Sequence, residues 1–212
     1  MRGTIEVIDP AQPNPVSPTS APPLYQQLKI DIDALHPAES IPSERPSAAR
    51  GALLGLTISE NLRTFSPSEV FGKLRNEPAF RTYSDRQLWD AIAFAYLQTQ
   101  GKEAVVRGQK LFARDCAACH GEAGRGNGTA GLNLPGLTAM HPDTEPGHTP
   151  GIKKGPADFT DVAQMLGASD VVLQGKILRG GMGTGMPEWG SLYTEQEMWD
   201  VISYLRSFVF QY

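Results

Sequence analysis

Both cysteines of this chain fall within five residues, Cys116-Ala117-Ala118-Cys119-His120, and that spacing constrains everything built around it. Two thiols three positions apart, with an imidazole directly after the second, can form two thioether bonds to the vinyl groups of one haem while the histidine reaches the iron. Competing uses of the pair are weaker. A structural zinc site needs four ligands, and no third cysteine exists to help complete it. His36, His141 and His148 are the other histidines, and none sits in a paired ligand spacing. A thioredoxin-like pair belongs at a strand-to-helix junction, whereas the segment before Cys116 reads as helix. A plain disulfide would leave His120 without a role.

The rest of the chain is ordinary for a globular protein, with 40% hydrophobic and 20% charged residues. A net charge of −4 without a basic stripe argues against nucleic acid as a partner. The longest uninterrupted apolar run, Ala91 to Leu97, is far shorter than the ~20 residues a membrane span requires.

Three regions follow along the sequence. Residues 1–50 hold nine of the seventeen prolines, so neither a long helix nor a central strand fits there. Thr4 to Ile8 alternates like a short strand, and the remainder reads as an extended arm or linker. Such an arm is either a free tether or a strap across a partner subunit. Residues 51–100 read as helical. Ser66 caps a helix that has Pro67 at its first position, and Ser84 precedes a second helix carrying Leu88, Trp89, Ile92, Ala95 and Tyr96 on one face. Residues 101–212 open with a helix from Glu103 to about Cys116 and close with one running from its cap at Thr194 to Phe208. Between them lies a glycine-rich stretch, Gly121 to Gly136, suited to a loop packed against a flat cofactor. The expected fold class is all-α.

The chain also repeats itself. Tyr83 to Ile92 aligns with Tyr193 to Ile202 at a constant offset of 110 residues. Upstream, Ser68-Glu69-Val70 and Gly72 to Arg75 echo Ser169-Asp170-Val171 and Gly175 to Arg179. The first copy has no cysteine and no methionine in its joining segment, so it is expected to be a reduced unit without haem.

Iron held by His120 needs a ligand on its other face. A soft donor well downstream, on a loop that can fold back, is met by Met186 within Gly183-Thr184-Gly185-Met186-Pro187. Pro187 restricts the backbone of Met186. Met182 is the nearest rival but lacks the following proline, and Met140, Met165 and Met198 read as packing residues.

Gly108 and Phe112 ahead of Cys116-x-x-Cys119-His120, the Met186-Pro187 loop and a last helix carrying Trp199, Tyr204 and Leu205 resemble a class I c-type cytochrome over residues 101–212. The resemblance implies a single covalent haem c, with Cys116 and Cys119 as attachment points. It implies His120 and Met186 as the metal ligands, and a close crossing of first and last helices at Gly108 with Phe112 and Tyr204 packed there. Phe159, within Pro156 to Asp161, would line the haem edge. Trp189, Arg179 and Lys176 flank the distal loop and are candidates to contact the propionates, the alternative for the two cations being solvated surface. A backbone carbonyl near Thr129 or Pro135 would accept the second nitrogen of His120. The stretch 137–154, with His141 and His148, is longer than a minimal member needs.

The function so implied is one-electron transfer between a redox donor and an acceptor, without enzymatic chemistry. Two settings are open: a soluble periplasmic shuttle, or a fixed subunit of a membrane-associated respiratory or photosynthetic complex similar to a quinol-oxidising one. The arm and the haemless half favour the second, with partner subunits expected against residues 1–100. An open-iron enzyme or sensor follows if Met186 does not ligate. Haem attachment of this kind implies the periplasmic side of a membrane. Because Met1 to Glu6 is not a signal peptide, the export signal or an anchor is expected outside the numbered sequence.

Overall fold

The structure is a computed structural model and describes residues 22–33, 36–58, 60–132, 155–181 and 185–212. The expected strand at residues 4–8, together with Pro135, Met140, His141, His148 and Met182, lies outside the described residues. Within them the fold is all-α: ten helices, with one isolated bridge pairing Ser47 and Gln211.

The helices start where local chemistry tells them to. Helix α3 (Pro67–Asn76) carries a reciprocal capping box between Ser66 and Glu69, and α4 (Asp85–Gln100) has one between Ser84 and Gln87. The last helix, α10 (Glu195–Arg206), repeats the device with Thr194 and Glu197. Between α4 and α10 lie α5 (Lys102–Asp115), the one-turn α6 (Ala117–His120) and α7 (Thr129–Leu132), α8 (Val162–Gly167) and α9 (Asp170–Arg179). Before α3 there are only two short helices, α1 (Leu24–Gln27) and α2 (Ala48–Ala52). The helical half therefore opens at Ser47, the cap of α2, rather than at residue 51.

The two halves are built around the same crossing. A Cβ on Gly108 of α5 would lie 1.8 Å from the carbonyl oxygen of Asp200 and 3.0 Å from Tyr204 Cβ. A Cβ on Gly51 of α2 would lie 2.0 Å from the carbonyl oxygen of Asp90 and 2.9 Å from Phe94 Cβ. Asp90 and Phe94 are the residues 110 positions before Asp200 and Tyr204. The flanking arginines match as well. Arg107 forks onto the Asp200 carboxylate at 2.6 and 2.8 Å, and Arg50 onto Asp90 at 2.7 and 2.8 Å. The caps also correct the register read from sequence for α3 and α9: Ser66, not Ser68, occupies the position of Ser169. In that register Phe65 corresponds to Ala168. Tyr96 donates its hydroxyl to the Phe65 carbonyl at 2.9 Å, while Arg206 donates to the Ala168 carbonyl at 2.6 Å.

The halves share one hydrophobic core and a buried polar junction. Arg206, fully buried, donates to Asp170 at 2.8 Å and to the carbonyl of Met165 at 2.5 Å. Its guanidinium lies 5.2 Å from the Tyr96 ring centroid, and Gln100 adds a bond to Asp170 at 2.9 Å. At the far end, the amide of Ala48 donates to the Gln211 carbonyl at 2.9 Å, and the amide of Gln211 to Pro46 at 2.8 Å. The matching bond in the second half, from Val105 to Gly101, lies within continuous chain. The C-terminus thus docks on α2 just where α4 runs covalently into α5.

From Pro22 onward the proline-rich arm lies along the second half of its own chain. Tyr25 and Ile32 pack at Gly175, with Cβ positions there 3.1 and 2.5 Å from their nearest atoms. Asp33 pairs with Arg179 at 2.6 and 2.9 Å, and the amide of Ala38 donates to the Ala163 carbonyl at 2.8 Å. Arg45 then reaches the carbonyls of Ser207 and Phe210.

Arg206→Ala leaves the Asp170 carboxylate buried without its partner, and is expected to cost roughly 3–5 kcal/mol, read from urea unfolding of the purified protein. Gly51→Ala is expected to destabilise by about 1–3 kcal/mol, because its new methyl meets backbone rather than a side chain that can swing away.

Candidate functional site

Helix α5 ends as the cysteine motif begins. The amide of Cys116 still donates to the Phe112 carbonyl at 2.9 Å, and the amides of Cys119 and His120 return to Cys116 at 3.1 and 2.9 Å. This single turn presents two thiols and an imidazole on one short element. Both cysteines are free. Burial, reinforced by the Asp115 and Cys119 charges, pushes the Cys116 thiol up to about 12. Cys116 is therefore a thiol at neutral pH, which opposes a reactive-thiolate role for it.

His120 is held as a neutral imidazole. Its Nδ1 lies 3.1 Å from the carbonyl oxygen of Ala157. A carbonyl can only accept, so Nδ1 carries the proton and Nε2 keeps its lone pair. Burial lowers the ring's pKa, against a smaller opposing effect of that hydrogen bond. The ring stacks on Phe159, with centroids 4.7 Å apart and planes at 25°. The acceptor is therefore Ala157, not a carbonyl near Thr129. The reason is the glycine loop, which folds back on the motif: Gly126 donates to His120 at 2.8 Å and Gly128 to Cys119 at 3.1 Å. Phe159 donates to Gly124 at 2.7 Å, and a Cβ on Gly126 would lie 2.3 Å from the Pro156 carbonyl. That close approach brings the 156–159 turn under the imidazole.

Phe159 is also part of an aromatic group at the helix crossing. Phe112, essentially buried, has Tyr204 at 5.3 Å, Phe208 at 5.6 Å and Phe159 at 6.0 Å. These rings back the histidine from inside.

The methionine loop is anchored on α9. That helix stops at Gly180, whose φ of 71° favours glycine. The amide of Gly181 donates to the Met186 carbonyl at 3.1 Å. The loop then returns along the helix, with Trp189 donating to Ile177 at 3.3 Å and Gly190 to Leu178 at 3.1 Å. Met186 and Trp189 are half-buried against the core, and Pro187 is exposed. Met165 and Met198 are buried packing residues.

Two features escaped sequence reasoning. Arg179 is bound by Asp33 of the arm, a pairing 146 residues apart. Tyr193, at the end of the methionine loop, donates its hydroxyl to Asp115 at 2.5 Å. Neither had a local signal, since each joins segments that only the fold brings together. The Ala157 carbonyl is likewise invisible in sequence, because every residue has one.

The donor set suits haem. Two free thiols can form thioethers with its vinyl groups, and the neutral imidazole beside them can ligate its iron. Among the described residues no group of three or more His, Cys, Asp and Glu side chains could hold a metal ion. Residues 105–208 match the family model of cytochrome c. This part of the chain is a cytochrome c domain. The family binds covalently attached haem c and carries electrons rather than catalysing reactions, and its domains are typically extracytoplasmic. Comparison with curated proteins and with solved structures returned no match. Among the described residues, no helix of this chain is long and apolar enough to cross a membrane.

The free thiols make a direct prediction. In folded haem-free protein at neutral pH, Cys116 is expected to react with iodoacetamide at least ~100-fold more slowly than in urea, as its raised pKa dictates. Mass spectrometry of the alkylated peptides measures this. Replacing both cysteines by alanine in a host that attaches haem should leave a denatured chain without covalent haem.

Proposed function

We propose that this cytochrome carries single electrons through one haem c ligated by His120 and Met186, as a subunit of a membrane-associated electron-transport complex. The observation that supports the ligand assignment is the fixed imidazole tautomer of His120, with Met186 tied by its carbonyl to Gly181 at the end of α9. Haem supplies the one-electron couple when bound. The chain's own residues then have separate roles. Cys116 and Cys119 hold the group, and His120 offers Nε2 because Ala157 occupies Nδ1. Met186 offers its thioether from a loop tied to α9, and Phe159 with Phe112 keeps water from the histidine side. Were His120 and Met186 both to hold the iron, no position would be left for a small molecule, and no acid–base group would be required.

Phe159 is supported as a haem-edge residue by its stack on His120, and Trp189 and Pro187 by their place on the methionine loop. Arg179, held by Asp33, contributes to docking the arm and stands beside the distal loop with its charge already paired. The half from Ser47 to Gln100 is proposed to be a haemless relative of the haem-bearing unit, on the strength of the matched Gly51 and Gly108 crossings. Membership of a complex is proposed from the surface that the half before Gly101 adds, on which Leu53 is 87% exposed.

Met186→Ala in the holoprotein is the test of ligation. The expected result is loss of the weak near-infrared band of methionine-ligated ferric haem, carbon monoxide binding to the reduced form and a lower reduction potential. A wild-type protein that already binds carbon monoxide would establish an open iron instead. For the setting, mildly solubilised native membranes are expected to carry the haem-stained chain in one peak with quinol-oxidising activity. Elution of the chain alone from the soluble fraction would make it a shuttle.

A further inference from the structure

The tyrosine that begins the last helix occurs twice, and its surroundings differ between the copies. Tyr83 and Tyr193 each stand one residue before a capping Ser84 or Thr194, in matched positions. Tyr83 is half-buried, its ring 6.3 Å from that of Phe80, and its backbone carbonyl accepts from Arg75 at 3.0 Å. Among the described residues its hydroxyl makes no hydrogen bond. Tyr193 is buried, 7% exposed, and its hydroxyl donates to Asp115 at 2.5 Å. Starting the helix therefore does not require the hydroxyl bond. It is present in the copy that carries the cysteines.

Its position suggests why. Asp115 is the residue immediately before Cys116, on the last turn of α5. Tyr193 closes the loop that leaves α9 at Gly180 and carries Met186. Its amide donates to the Trp189 carbonyl at 2.9 Å, and the two rings lie 5.1 Å apart. The loop is thus pinned at one end to α9 and at the other to the cysteine-bearing helix. A short hydroxyl–carboxylate bond is among the stronger neutral-to-charged kinds, and Arg114 holds the same carboxylate from the solvent side at 2.7 Å.

We propose that the Tyr193–Asp115 bond is a clasp that fixes the distance between the haem-attachment helix and the methionine loop, making Tyr193 a positioning residue for Met186. The clasp rests on the His120 and Met186 ligation argued above. It limits how often the methionine side opens, and so how fast an external ligand reaches the ferric iron.

The experiment compares wild-type holoprotein with Tyr193→Phe, Asp115→Asn and the matched control Tyr83→Phe, using imidazole as the probe. The rate of imidazole binding to ferric protein is expected to rise about tenfold in Tyr193→Phe, in keeping with loss of a hydrogen bond to a charged group. The reduction potential should fall with it. Asp115→Asn, which keeps an acceptor for the hydroxyl, should restore most of the slow rate, and Tyr83→Phe should match wild type. A Tyr193→Phe protein that is less stable to urea yet binds imidazole at the wild-type rate overturns the clasp, because a purely structural role predicts that result. Wild-type protein that binds imidazole at once, without the near-infrared band, overturns methionine ligation and the clasp with it.

Discussion

The close crossing of α5 and α10 is the constraint on which the haem site depends. At Gly108 the helix backbones meet so closely that even a methyl group would overlap the Asp200 carbonyl. That approach sets Phe112 against Tyr204 and Phe208, and these rings in turn support Phe159 and the His120 imidazole. It also seats α5, whose last turn leads into both cysteines, against the last helix. The Arg107–Asp200 fork at the same crossing is half exposed on the arginine side, so it adds orientation more than stability.

The first half repeats this crossing at Gly51 without a cysteine-bearing turn after it. Helix α2 is only five residues long, whereas α5 has fourteen, and the chain after it forms no cysteine-bearing turn. What the half contributes is contact. Tyr96 and Gln100 line the buried Arg206–Asp170 pair, and Pro46 and Ala48 receive the C-terminal Gln211. A fully buried ion pair is retained only with its hydrogen bonds satisfied, and Arg206 has carboxylate and two carbonyls around it. The arrangement makes the second half's last helix an internal element shared by both halves.

Much of this was legible in advance. The capped starts of α3, α4 and α10 follow from Ser66, Ser84 and Thr194 with their partners three residues on, because capping is local chemistry. The repeat at 110 residues was visible, although its upstream register was displaced by two residues at the first serine, where Ser66 and Ser68 compete as caps. The arm's composition excluded regular structure but could not say what it touched. Tyr25, Ile32, Asp33 and Arg45 bind residues more than a hundred positions away, and such pairings leave no spacing pattern.

The sequence by itself determined the candidate chemistry. Cys116, Cys119 and His120 fall within five residues, so their spacing alone points to joint use on one haem, and the glycines and Pro187 around Met186 single out a candidate second ligand. Only the tertiary structure decided which groups support them. Ala157 orients His120, Asp33 takes the charge of Arg179, and Asp115 receives the hydroxyl of Tyr193. The physical reason is the same in each case. A backbone carbonyl or a lone carboxylate is chemically generic, and it acquires a role only from what the fold places within three ångströms of it.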